Sequence, residues 1–149
     1  MAYPNNKNYG GRSWDQPPRP KQTAKEFPAD YVDFADEVVA NYLRTVKYFN
    51  QISTSKLRNI LGMLMDVYNI EKLRVDPLIC EESVVKLQVA RIRLAYECGR
   101  DSNVTKRFVD DTYLMTWLKD AGNSREKVLN YIHYVEALVA YHRYHGGKD

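Results

Sequence analysis

At 149 residues the chain has the length of one domain, enough to bury a real core and too short for two large lobes. Hydrophobic residues make up 44% and charged residues 28%, ordinary for a folded soluble protein, and no apolar run approaches the roughly 20 residues needed to cross a bilayer. The net charge of +3 arises before Ala29, where Lys7, Arg12, Arg19, Lys21 and Lys25 face only Asp15 and Glu26; beyond it 17 basic residues balance 17 acidic ones, which excludes a basic groove spread over the whole body.

Residues 1–28 hold five of the six prolines and few aliphatic side chains, a composition that cannot bury enough surface to offset chain ordering, so a disordered Pro-rich tail is expected there. The helical domain is expected over 29–149. A first helix should open near Ala29 or Asp30, with Tyr31, Phe34, Ala35, Val38, Tyr42, Val46 and Phe49 repeating at three and four. Asp30, Asp33, Asp36 and Glu37 crowd its start, where the helix dipole favours negative charge. Ser53, Thr54 and Ser55 form an N-cap cluster for a second helix running to about Tyr68, with Leu57, Ile60, Leu61, Leu64 and Tyr68 as its buried stripe.

A connection broken by Pro77 leads to a third helix from about Glu82 to Cys98, stopped at Gly99, on which Val85, Val89, Ile92 and Tyr96 share one face. A fourth helix, capped by Ser102 or Asn103, carries Val104, Phe108, Met115 and Leu118. After Gly122, Asn123 and Ser124 a fifth runs to about Tyr144, with the stripe Val128, Tyr131, Ile132, Val135, Leu138, Val139 and His142. The fold class is all-α, a single-domain bundle of about five helices.

The usual motifs for phosphate, dinucleotide, zinc-hydrolase or acyl chemistry are missing, so no catalytic residue, metal site or cofactor is expected and the chain reads as a non-enzyme. His133, His142 and His145 are close in sequence, but no carboxylate or cysteine is positioned to complete a metal set, and exposed imidazoles at a helix end are expected. Cys80 and Cys98 read as buried thiols in a reducing compartment; with no secretory signal at the start, the expected location is cytoplasmic.

The residues with binding chemistry are basic and local. Lys56 and Arg58 sit in the first turn of the second helix, an unfavourable place for cations beside the positive end of the dipole. Arg91 and Arg93 lie on the third helix, Arg100 just past its end, and Lys106 and Arg107 at the start of the fourth. Arg91 and Arg93 are about 200° apart around the axis, so they cannot point the same way. Such forked or mobile donors suit phosphate contacts. A helix-turn-helix nucleic-acid-binding regulator is the alternative reading.

Three segments in this order, Ile52–Leu61, Leu87–Arg100 and Tyr131–Asp149, resemble the small helical subunit of the type III-A CRISPR (Csm) interference complex. The matching positions are Thr54–Arg58, Ala95–Arg100, Glu136–Tyr141 and the closing Gly146–Asp149, with Cys98 standing where that family has a small apolar residue. The resemblance implies an all-helical, non-catalytic subunit that stacks with other copies of itself along a crRNA-containing effector complex and helps hold target RNA through its backbone. It gives no role to the tail or to the acidic first helix.

Overall fold

The computed structural model describes residues 26–149, and among these the backbone is helical, with a lone antiparallel bridge between Leu78 and Ser124 and no strand. Six helices follow one another: α1 (Tyr31–Thr45), α2 (Thr54–Glu71), α3 (Glu81–Arg100), α4 (Arg107–Asp111), α5 (Leu114–Ala121) and α6 (Arg125–Tyr144). A 3-10 turn occupies Tyr48–Asn50 and a wide π turn Ser102–Lys106. Helix α6 packs against α1, α2 and α5, while α3 packs against α2 and α5. The all-α expectation holds. The tail expectation lies outside the described residues except at Glu26, Phe27 and Pro28, where the Phe27 ring meets Trp117 and Tyr134 edge-on at 5.2 and 5.8 Å.

Helix α1 stops at Thr45, one turn earlier than the apolar spacing predicts. Val46 turns extended, and the buried Gln51 swings its amide back to donate to the Leu43 and Val46 carbonyls at 3.1 and 2.9 Å, satisfying the orphan acceptors of the helix end. Phe49, expected on the buried face, is therefore carried into the 3-10 turn and is 88% exposed.

Helix α2 begins where Ser53 accepts the Lys56 N–H at 3.2 Å, and it runs past Tyr68 to the fully buried Glu71. Burial opposes ionisation of Glu71, but hydrogen bonds from the Cys80 backbone and from Ser83 and Cys80 side chains, with the Arg74 charge, outweigh it and hold the carboxyl below its ordinary value. Its own carbonyl receives the Arg125 Nε at 2.8 Å, so one residue ties α2, the following loop and α6 together. Cys80 in that loop is only partly buried, unlike the expectation, whereas Cys98 is buried.

Helix α3 continues through Gly99, which has space on all sides, to Arg100. Val85, Val89, Ile92 and Tyr96 do share a face, but it is turned to solvent; the core face is Ser83, Leu87, Ala90, Leu94 and Cys98.

The fourth predicted helix is two. It breaks at Tyr113, whose φ of 60° is left-handed, a conformation unusual for a bulky residue. The break is held by its surroundings. The Tyr113 ring stacks on Trp117 at 5.1 Å, the buried Thr112 hydroxyl donates to Phe108 at 2.7 Å, and Tyr134 and Tyr131 of α6 donate to the Thr112 and Leu114 carbonyls at 2.8 and 2.9 Å. Burial raises both tyrosine hydroxyls above their ordinary pKa.

At the other end of α6, His142 is fully buried, contrary to the expectation of an exposed imidazole. Its Nε2 donates to the Ile52 carbonyl at 2.9 Å, and Nδ1 lies 3.0 Å from the Thr54 hydroxyl. Thr54 in turn donates its N–H to the Lys148 carbonyl at 2.8 Å, which draws the C-terminal residues over the ring. A Cβ on Gly147 would fall 2.3 to 2.5 Å from the imidazole atoms, so only glycine passes there. Desolvation lowers the His142 pKa, partly opposed by the hydrogen bond to Ile52.

Two outcomes follow from α6. Leu138 is fully buried and Tyr144 is 78% exposed, so Leu138→Ala should cost about 2–5 kcal/mol while Tyr144→Ala stays within about 0.5 kcal/mol of wild type, as read by thermal or denaturant melts. Because the folded His142 pKa is depressed, the unfolded chain binds the extra proton as pH falls below about 6.5. Stability should be full above that pH and decline as pH drops toward the folded value. Urea midpoints against pH should show this slope in wild type and not in His142→Gln.

Candidate nucleic-acid interface

Between the outer sides of α2 and α3 lies an open groove of about 910 Å³. It exists because the core stripes of the two helices meet below it, leaving as walls their outer flanks, where Met63, Val85, Val89 and Tyr96 alternate with charged side chains. Of the seven basic residues expected to bind RNA, four line it: Lys56 and Arg58 from α2, Arg93 and Arg100 from α3. Arg91 is on α3 but outside the groove, as the angular argument required of one of the pair. Lys106 and Arg107 also lie outside it, each joined along one helical turn to a carboxylate, Asp110 at 2.7 Å and Asp111 at 2.9 Å. Sequence reading passed over Lys86, which lines the same wall; its signal was the seven-residue spacing of Lys86, Arg93 and Arg100, which places three cations on one row of α3.

The groove's cations are not equivalent. Lys56 is paired with Asp101 at the end of α3, and this contact, with help from Thr105 and Arg100 against the desolvation cost, holds the Asp101 carboxyl below its ordinary value. Lys86 lies 3.7 Å from Asp66, and Arg100 lies 3.9 Å from Glu97. Arg58 and Arg93 are exposed and have no ion pair among the described residues, so their charge is offered to solvent or to a ligand. Tyr96, 65% exposed, stands between Arg93 and Arg100 on the same wall.

The histidines do not converge. His142 is enclosed as described, His145 Nε2 is 2.6 Å from Asp36 on α1, and His133 is 3.6 Å from Glu136 with its ring against Tyr68. Among the described residues no cluster of three or more His, Cys, Asp or Glu is placed to hold a metal ion.

The model of the Csm2 type III-A family matches residues 25–148, a span that includes every helix and both walls of the groove. The chain belongs to the Csm2 type III-A family. Among similar proteins, the "CRISPR system Cms protein Csm2" of Mycobacterium tuberculosis strain H37Rv is 32% identical over 120 residues, covering 80% of this chain and 94% of the relative. The protein of the same name from Streptococcus thermophilus is 31% identical over 121 residues, with the same two coverages, and that of Enterococcus italicus is 33% identical over 103 residues, covering 68% and 73%. The match begins before α1, so the acidic first helix, to which the sequence resemblance gave no role, is part of the family's span.

If Lys56 is what depresses Asp101, Lys56→Met should return the carboxyl toward its ordinary value near 3.9. An NMR titration of the Asp101 side chain would read the upward shift; an unchanged titration would assign the depression to Thr105 and Arg100.

Proposed function

We propose that this Csm2-family chain serves as the non-catalytic small subunit of a type III-A CRISPR-Csm RNA-guided complex in antiviral defence, stacking with further copies along the crRNA filament and touching target RNA through its phosphate backbone. The observation that carries the RNA contact is the α2–α3 groove, with Arg58 and Arg93 unpaired on opposite walls and Lys56 and Arg100 beside them. Arg91, Lys106 and Arg107 belong to the same reading as outer contacts. Phosphate recognition needs charge and reach, and no base-reading geometry, which fits a groove walled by long side chains. The exposed Tyr144, beside Tyr141 at the end of α6, is suited to a neighbouring copy.

No described helix is long and apolar enough to span a membrane, and a cytoplasmic complex accords with that. The helix-turn-helix reading loses support from the nine-residue connection 72–80 between α2 and α3, since that motif needs a turn of about three or four residues.

In the reconstituted complex, Arg58→Ala and Arg93→Ala should each reduce the slope of log K against log salt for target RNA by about one unit, equally for unrelated target sequences. A loss confined to one target sequence would contradict backbone recognition. The chain by itself should cleave neither RNA nor DNA with magnesium, manganese or zinc.

A further inference from the structure

Helix α3 has two apolar faces. One enters the core; the other, opposite to it, carries Val85, Val89, Ile92 and Tyr96 at 58, 41, 68 and 65% exposure. Their spacing is four, three and four, that of a coiled-coil seam, and the four span about 16 Å of helix at 1.5 Å per residue. A solvated helix face has no reason to repeat large apolar residues in this register, and a row of them is a mark of an interaction surface. The flanks of the seam differ. On the groove side run Lys86, Arg93 and Arg100, one per heptad; on the other run Glu81, Gln88 and Ala95.

We propose that this outer face of α3 docks an amphipathic helix of a partner protein that brings an aliphatic seam flanked by carboxylates. The charge pattern selects the occupant. A second copy pairing antiparallel through α3 would set Lys86, Arg93 and Arg100 against themselves. A second copy pairing parallel would offer the three cations only Glu81, beside the neutral Gln88 and Ala95. The chain's own N-terminal residues carry Lys7, Arg12, Arg19, Lys21 and Lys25 against Asp15, and are the wrong sign. A helix with glutamates flanking leucines meets both requirements: its apolar side chains cover the seam, and its carboxylates meet a row that includes the unpaired Arg93. Val85, Val89 and Tyr96 line the groove along with Arg93 and Arg100, and Ile92 is the seam residue outside it, so substitution at Ile92 tests the seam without removing a groove residue.

The test uses the full chain and a pair of synthetic helical peptides of roughly three heptads, with leucine at both seam positions and either glutamate or lysine at the flanks. Fluorescence anisotropy should show the glutamate peptide binding one to one, at least tenfold tighter than its lysine twin, and Ile92→Ser should weaken it at least tenfold. Reversal of the row by Arg93→Glu with Arg100→Glu should transfer the preference to the lysine peptide, a reading that stands even if the serine variant folds poorly. Equal binding of the two peptides, or indifference to both variants, overturns the proposal. So does a dimer of the chain alone, in sedimentation, that Ile92→Ser dissolves, which would give the seam to a second copy. A loss of single-stranded RNA binding in Ile92→Ser equal to its loss of peptide binding would give it to RNA.

Discussion

The structure depends on satisfying the polar tips that α6 carries into the core. Tyr131, Tyr134 and His142 are all fully or almost fully buried, and a polar group taken from water without a partner costs several times what a hydrogen bond returns. Each tip therefore has a fixed partner on another element: Leu114 and Thr112 at the break between α4 and α5, Ile52 and Thr54 at the start of α2. Among the described residues no buried side-chain nitrogen or oxygen lacks a partner. The left-handed Tyr113, the early end of α1 and the Gly147 passage are three local irregularities that keep those carbonyls and that hydroxyl in place.

A second consequence concerns the charge. The body is neutral, and many of its cations are spent along helices or across turns, as in Lys106 with Asp110, Arg107 with Asp111 and Arg74 with Glu71. Surface pairs of this kind add little to stability. They do remove attraction for a polyanion, whereas Arg58 and Arg93, with no ion pair among the described residues, keep theirs within the groove. Under the proposed function this neutrality has a use, since free basic patches elsewhere would capture nucleic acid outside the groove.

Helix positions were legible in the sequence because periodicity and caps are local: Ser53 and Ser124 cap α2 and α6 as their chemistry indicates. Which face of a helix is inside is not local. In α3 the rows Leu87, Ala90, Leu94 and Val85, Val89, Ile92 have the same period, and the choice between them is made by α2 and α5. The burial of His142 was illegible for a related reason, since its partners are 88 and 90 residues away in sequence. Basic residues near helix starts pointed to part of the groove, but the ion pairs that distinguish Lys56 from Arg58 are tertiary. The seven-residue spacing that marks Lys86 was in the sequence and needed only the right helix period to be seen.

Helix α6 follows α1, α2 and α5 in the chain, yet it supplies the surface on which they are packed, and the residues that seal His142 come after it. During synthesis α1 and α2 emerge before α6, so Val39, Tyr42, Leu57 and Leu64 lack part of their cover until α6 and the residues after it have cleared the ribosome. A chain cut before Lys148 would lack the carbonyl that latches Thr54. A cut before Gly147 would also leave the His142 ring without the cover that the Gly147 passage gives it, so closure of the bundle waits on a stretch that belongs to no helix.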